Sequence, residues 1–130
     1  MHGNIWRARC LQAGHIVDQT GVTALETIPP RCHCGAWLRP DIVWFGEPLP
    51  AQALVRAEAA LHRADTVVVI GTSGVVYPVA DFPRIAKQSG AFVIEINPEP
   101  TPLSPLCDLT LRGTAGAVLP ELDRLVTVTR

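Results

Sequence analysis

Five consecutive β-branched residues, Thr66-Val67-Val68-Val69-Ile70, run straight into Gly71-Thr72-Ser73-Gly74. Branched side chains crowd a helix and suit a pleated strand, and an apolar run without alternation suits a strand covered on both faces, as in a parallel sheet. Parallel strands need a crossover. A helix is predicted from Val79 to Ser89 with Gly90 as its stop, then a strand from Ala91 to Ile96, so residues 65–96 read as one βαβ unit. Upstream, Ala51 to Ala64 consists of strong helix formers, with Leu54, Ala57 and Leu61 on one face. Downstream, Cys107 to Leu111 offers a last short strand and Ala115 to Val126 a closing helix, after a stiff connection carrying Pro98, Pro100, Pro102 and Pro105. The fold class is therefore α/β, with a Rossmann-like parallel sheet over residues 51–130. Residues 1–50 differ: they hold three of the four cysteines and all three tryptophans and show little helical periodicity, which predicts a small loop-rich cysteine module.

The bulk numbers exclude some classes. A chain of 130 residues, 48% hydrophobic and 18% charged, suits a globular protein with one sizeable core. A net charge of -1, with 11 Lys and Arg scattered along the chain, gives no basic field for nucleic acid. No apolar run approaches the roughly 20 residues of a membrane span, and Met1-His2-Gly3-Asn4 does not open a signal peptide. The expectation is a cytoplasmic protein whose cysteines are thiols or metal ligands.

In open parallel sheets, ligands sit beyond the carboxyl ends of the strands. Here those ends deliver Gly71-Thr72-Ser73-Gly74 and Asn97-Pro98-Glu99. Two glycines allow close approach, the hydroxyls of Thr72 and Ser73 suit phosphate or ribose, and a helix N-terminus following the loop would favour negative charge. An amide and a carboxylate at the next strand end suit ribose hydroxyls. A nucleotide fits; taken alone, Gly-Thr-Ser-Gly is equally an ordinary strand-to-helix turn.

Leu38-Arg39-Pro40-Asp41-Ile42-Val43-Trp44-Phe45-Gly46-Glu47 resembles a signature of the sirtuins, the NAD-dependent protein deacylases. In the family's order it is preceded by His2-Gly3 and a cysteine module, and followed by Gly71 to Pro78, Glu95-Ile96-Asn97-Pro98-Glu99 and Ala115. Tyr77-Pro78 and the run from Arg39 to Glu47 look most like the bacterial class III branch. The resemblance implies that Gly71, Thr72 and Ser73 contact NAD, that Asn97, Pro98 and Glu99 lie near the adenosine ribose, and that Ala115 lies at the adenine. It also implies that Val43, Trp44, Phe45, Gly46 and Glu47, with Gly74, Val75 and Val76, flank an acyl-lysine peptide or protein added as a strand. Plain core packing would equally account for two adjacent aromatics at Trp44 and Phe45.

Structural zinc usually takes four ligands as two close pairs. Cys10 is followed by Ala13, where sirtuins commonly have a second cysteine, and Cys32-His33-Cys34 has one intervening residue rather than two. Cys10, Cys32 and Cys34 are the candidate zinc ligands, with His15 or His33 as the fourth, against a degenerate module that packs without metal. Cys107 is expected to be a buried small hydrophobe on the last strand.

Sirtuin chemistry, as the resemblance implies, has the acyl oxygen attack the ribose carbon bearing nicotinamide, with a histidine as general base on a ribose hydroxyl. The family carries that histidine in a Gln-Asn-Ile-Asp region upstream of the His-Gly matched by His2-Gly3, and the Gly-Ala-Gly fingerprint lies upstream as well. Neither is found here. The chain is therefore expected to be the C-terminal half of such an enzyme, without its catalytic base, marginally stable alone and prone to associate. No catalytic role is assigned to His2, His15, His33 or His62. The alternatives are a non-catalytic remnant that binds a nucleotide weakly and a small zinc-binding interaction module.

Overall fold

The computed structural model describes residues 1–128, which divide into two compact units, Met1–Leu54 and Val55–Arg130 as bounded on the full chain. In the first unit, β1 (Gly3–Cys10) pairs antiparallel with β2 (Ile16–Asp18) on one side and β3 (Leu38–Ile42) on the other. Residues two apart on a strand share a face, so Ala8 and Cys10 turn inward together and close a small core with Cys32 and Leu38. Asp41 of β3 is buried and takes Arg7 at 3.1 Å and Arg9 at 2.6 Å, which ties β3 to β1 across the sheet. Gly3 has φ +94°, and a Cβ there would run into the Asp41 carbonyl oxygen. That bare backbone lets the His2 carbonyl accept from the Val43 amide at 2.8 Å.

This antiparallel sheet was not anticipated by the sequence reading of a loop-rich module. A register shift between Asn4 and Ala8 breaks the alternation of β1, and Ile5 and Trp6 remain exposed, so the period-2 signal is lost.

α1 (Ala51–Leu61) spans the unit boundary. The second unit holds β4 (Thr66–Ile70), β5 (Phe92–Ile96) and β6 (Leu109–Leu111), all parallel in the order β4-β5-β6. This is the expected α/β class. Between β4 and β5 the chain makes a 3-10 turn at Val79–Asp81 and then α2 (Phe82–Gln88), a shorter helix than predicted, with Pro83 in the first turn, where its missing N–H costs nothing. A second 3-10 turn, Ser104–Leu106, precedes β6, and α3 (Ala115–Val128) closes the unit. The core lies around the central strand: Val93 and Ile96 are at most 1% exposed, with Ala80, Ala86, Ala91 and Leu103 against the same interior. Asp108 joins three elements, accepting from the Val93 amide at 2.8 Å and pairing with Lys87 of α2 at 2.5 Å. The Lys87 ammonium, helped by that amide, holds the Asp108 carboxyl below its ordinary range.

Two expectations need correction. β4 is not covered on both faces: Val68 and Ile70 stay about two-fifths exposed, because β4 is an outer strand of the described sheet and α1 buries no residue. Cys107 is not on β6 but before it, half-buried, with its thiol donating to the Leu103 carbonyl at 3.3 Å. No helix among the described residues is long and apolar enough to cross a membrane.

Ile96→Ala is expected to lower stability by about 3 kcal/mol, read as a shift of the urea midpoint. Phe92→Ala on the same strand removes a half-exposed side chain and should shift that midpoint less.

Candidate functional site

Three loops leave the parallel sheet at its carboxyl edge, and Asn97 connects them. Its side-chain amide donates to the Thr72 carbonyl at 2.8 Å, its backbone N–H to Leu111 at 3.2 Å, and its carbonyl accepts from Gly113 at 3.4 Å. The first loop is turned by Gly71 (φ +62°) and Gly74 (φ +66°), and the Thr72 hydroxyl accepts from the Gly74 amide at 3.2 Å. Gly74 has a second reason to lack a side chain: a Cβ there would lie 2.5 Å from Leu103 Cγ. Gly71, Thr72 and Ser73 are exposed, as are Pro98 and Glu99, and neither the Ser73 hydroxyl nor the Glu99 carboxylate has a hydrogen-bond partner among the described residues. Ala115, half-buried, is the first residue of α3. The edge thus presents a hydroxyl, a carboxylate and bare backbone. No helix begins at the loop itself, since the next regular turn starts at Val79 after the exposed Val75, Val76 and Tyr77. The helical turn starts at Val79, where the sequence predicts it, with four residues between it and Gly74, the last residue of the loop.

Glu95 lies beneath these loops, 1% exposed. It accepts from the hydroxyls of Thr101 and Ser104 and from Arg112 at 2.9 Å. Burial alone would raise its carboxyl, but these three donors outweigh it and hold the group below its usual range. Neither Glu95 nor Arg112 was picked out from the sequence as a site residue. A lone carboxylate in the apolar strand Phe92-Val93-Ile94-Glu95-Ile96 was the available signal.

In the first unit, Val43 to Glu47 follow β3 as a turn, half-buried at Val43 and exposed from Trp44 on. Phe45 is 97% exposed and does not pack into the core of this unit, while Trp44 is 51% exposed, with the Arg39 guanidinium 5.8 Å from its ring centroid. The turn is held by Glu47, which accepts from the Trp44 amide at 3.1 Å and takes Arg39 with both oxygens, at 2.6 and 3.0 Å. Gly46 at φ +87° makes the reversal. Chiefly the Arg39 guanidinium, and then the Trp44 amide, hold the Glu47 carboxyl below its ordinary range.

Two tight turns bring the cysteines together. In one, Gly14 N–H returns to the Cys10 carbonyl and the Ala13 amide donates to Cys10 Sγ at 3.3 Å; in the other, Gly35 N–H returns to Cys32. Cys10 and Cys34 Sγ are 3.6 Å apart, and Cys10, Cys32 and Cys34 have ligand atoms mutually within 4.8 Å. Tetrahedral zinc with bonds of about 2.3 Å to sulfur sets its thiolates about 3.8 Å apart, so the three thiols fit three corners. His15 Nε2 is 2.9 Å from Cys32 Sγ, while His33 is exposed, its Nδ1 3.6 Å from the same sulfur and its ring stacked on His15. The Ala13 amide draws the Cys10 thiol down to about 7, which favours the thiolate a metal needs. The Cys34 amide pulls Cys32 down, but burial and the neighbouring thiols outweigh it and leave Cys32 above its ordinary value.

The family profile described as "Sir2 family" matches residues 1–78. The chain is 51% identical, over 94% of its length and 49% of the relative's, to NAD-dependent protein deacylase 2 of Pyrobaculum aerophilum. Among solved structures, a mutant Sir2 homologue in an ADP-ribose complex superposes with a TM-score of 0.90 at 45% identity, covering 98% of this chain and 51% of that one. Sir2Tm bound to a propionylated peptide gives 0.88 at 29% identity, covering 98% and 55%. The profile covers more than half of the chain, which belongs to the Sir2 family. It spans about half the length of the curated relatives it matches.

The Glu47 carboxyl should titrate below the ordinary glutamate value of about 4.3, and Arg39→Met should move it back up, read by carboxyl NMR. Because the folded value is the lower one, the stabilisation from this pair is full above the unfolded pKa and is lost as pH falls through the folded one.

Proposed function

We propose that this chain carries the dinucleotide-holding and acyl-peptide-holding parts of an NAD-dependent protein-lysine deacylase. The observation that carries the reading is the edge joined by Asn97, where the Ser73 hydroxyl and the Glu99 carboxylate stand free beside bare glycine backbone. Relatives named as NAD-dependent deacylases and a solved ADP-ribose complex support it.

In this reading Gly71, Thr72 and Ser73 receive the phosphate and ribose groups, Glu99 accepts from the adenosine ribose hydroxyls, and Ala115 leaves room for adenine. Pro98 shapes the loop between Asn97 and Glu99. Asn97 acts through position, since its amide is already given to Thr72. NAD supplies the bond to nicotinamide whose cleavage activates the ribose carbon. Val43 to Glu47 and Gly74 to Val76 are the segments assigned to an extended acyl-lysine peptide, with Phe45, Gly46, Val75 and Val76 exposed for it, and the peptide complex of Sir2Tm supports this. None of the four histidines serves as the ribose base. His15 and His33 sit at the thiols, the His62 ring is bonded to Ser89 at 2.8 Å, and His2 lies at the exposed start of β1.

Titration of the chain with ADP-ribose in a calorimeter should show binding, and Glu99→Gln should weaken it about tenfold, the loss of a charge-assisted hydrogen bond. Absence of binding, or an unchanged affinity in the variant, would sink the assignment.

Zinc fits the three thiols; His15 and His33 form a second group with Cys32, and we assign the fourth corner to His15, whose Nε2 lies 2.9 Å from Cys32 Sγ against 3.6 Å for His33 Nδ1. Its chemistry here is structural, closing the two turns on each other. The purified chain should carry about one zinc, and cobalt substitution should give a tetrahedral spectrum with thiolate charge transfer. His15→Ala should alter that spectrum and release metal, while His33→Ala should leave both as they are.

A further inference from the structure

We infer that Arg112 is a positioning residue for nucleotide binding: it is the clamp that aims Glu99, and it is itself aimed by the buried carboxylate of Glu95. The inference rests on the function proposed above.

The loop after β5 is bonded within itself from Thr101 to Leu106, but the stretch Pro98-Glu99-Pro100 has little backbone bonding of its own. Pro98, Pro100 and Pro102 contribute no N–H, and the Glu99 amide reaches Asn97 Oδ1 only at 3.4 Å. The Glu99 carbonyl has one hydrogen bond among the described residues, from Arg112 Nη1 at 3.1 Å. The same nitrogen donates to Glu95 Oε2 at 2.9 Å, and Nη2 donates to Ser104 Oγ at 3.1 Å. The guanidinium therefore spans the floor of the loop, the loop backbone and its far end. Its planar fork holds these directions at once, which a flexible ammonium does not.

Glu95 sets the direction of that fork. It is buried, with its oxygens already engaged by Thr101 and Ser104, and Arg112 is the one cation paired with it among the described residues. A carboxylate in that position cannot be left without its counter-charge, so the pair holds Arg112 in place even though the arginine is about a third exposed. Arg112 also opens the segment that leads through Gly113, bonded to the Asn97 carbonyl, to Ala115. Its side chain thus holds the backbone of the residue assigned to the ribose, and its own backbone lies three positions before the residue assigned to the adenine.

The test measures ADP-ribose affinity by calorimetry on the full chain, with thermal melting beside it, for Arg112→Met, Arg112→Lys, Glu99→Gln and the Arg112→Met/Glu99→Gln pair. Arg124→Met, which removes an exposed helix ion pair, is the control. Arg112→Met should weaken binding about tenfold, Arg112→Lys less, and the double variant should bind no more weakly than Glu99→Gln alone, the signature of one residue acting through the other. A purely structural role would lower the melting temperature but leave the Glu99→Gln penalty intact. Folded Arg112→Met that binds as the unaltered chain does, or penalties that simply multiply, would overturn the clamp. If Arg112→Met does not fold, Arg112→Lys carries the same comparison with Glu99→Gln. Absence of binding by the unaltered chain overturns the proposed function, and the clamp with it; binding that ignores Arg112 overturns the clamp alone.

Discussion

Parallel pairing gives a sheet a direction. Because β4, β5 and β6 run the same way, their three following loops leave at one edge, and everything assigned to the nucleotide is built there. β5 is the strand on which this depends, since it is paired on both sides and carries the most buried side chains of its unit. Its last two residues and the one after them divide three jobs. Ile96 anchors the core, Glu95 turns to the polar floor, and Asn97 then spends its amide, N–H and carbonyl on the neighbouring loops. The edge is therefore held by backbone and amide bonds and leaves its free hydroxyl and carboxylate to a ligand.

The first unit reaches the same end by another route. Its core is small, and two charge clusters complete it: Asp41 between Arg7 and Arg9, and Glu47 on Arg39. The first is buried on its acidic side and binds strand to strand. The second is more open and shapes the turn that exposes Phe45. Beside them the thiols of Cys10, Cys32 and Cys34 gather where two turns meet.

What could be read beforehand followed the strength of local signals. β4 and β5 were readable because branched apolar runs ended at glycine and asparagine, and the loops were readable as strand ends. β1 to β3 were not, because a bulge and exposed aromatics erased their alternation. The candidate site residues could be placed on loops, but not their division of labour. That Asn97 is spent on Thr72, 25 residues earlier, or that Arg112 reaches back to Glu95, depends on parallel registry between distant segments, which no local pattern encodes. Spacing likewise left two histidines open, and the turns bring both beside Cys32 Sγ, His15 at 2.9 Å and His33 at 3.6 Å.

The prolines of the loop after β5 have a thermodynamic consequence. A segment with Pro98, Pro100 and Pro102 has fewer conformations even when unfolded, and the Arg112 bond to the Glu99 carbonyl restricts it further. Such a loop loses little entropy when a ligand arrives, so its affinity is governed by the heat of the contacts it makes. A ligand group that fails to match has little slack to exploit, and selectivity at this edge becomes a matter of rigidity as much as of chemistry.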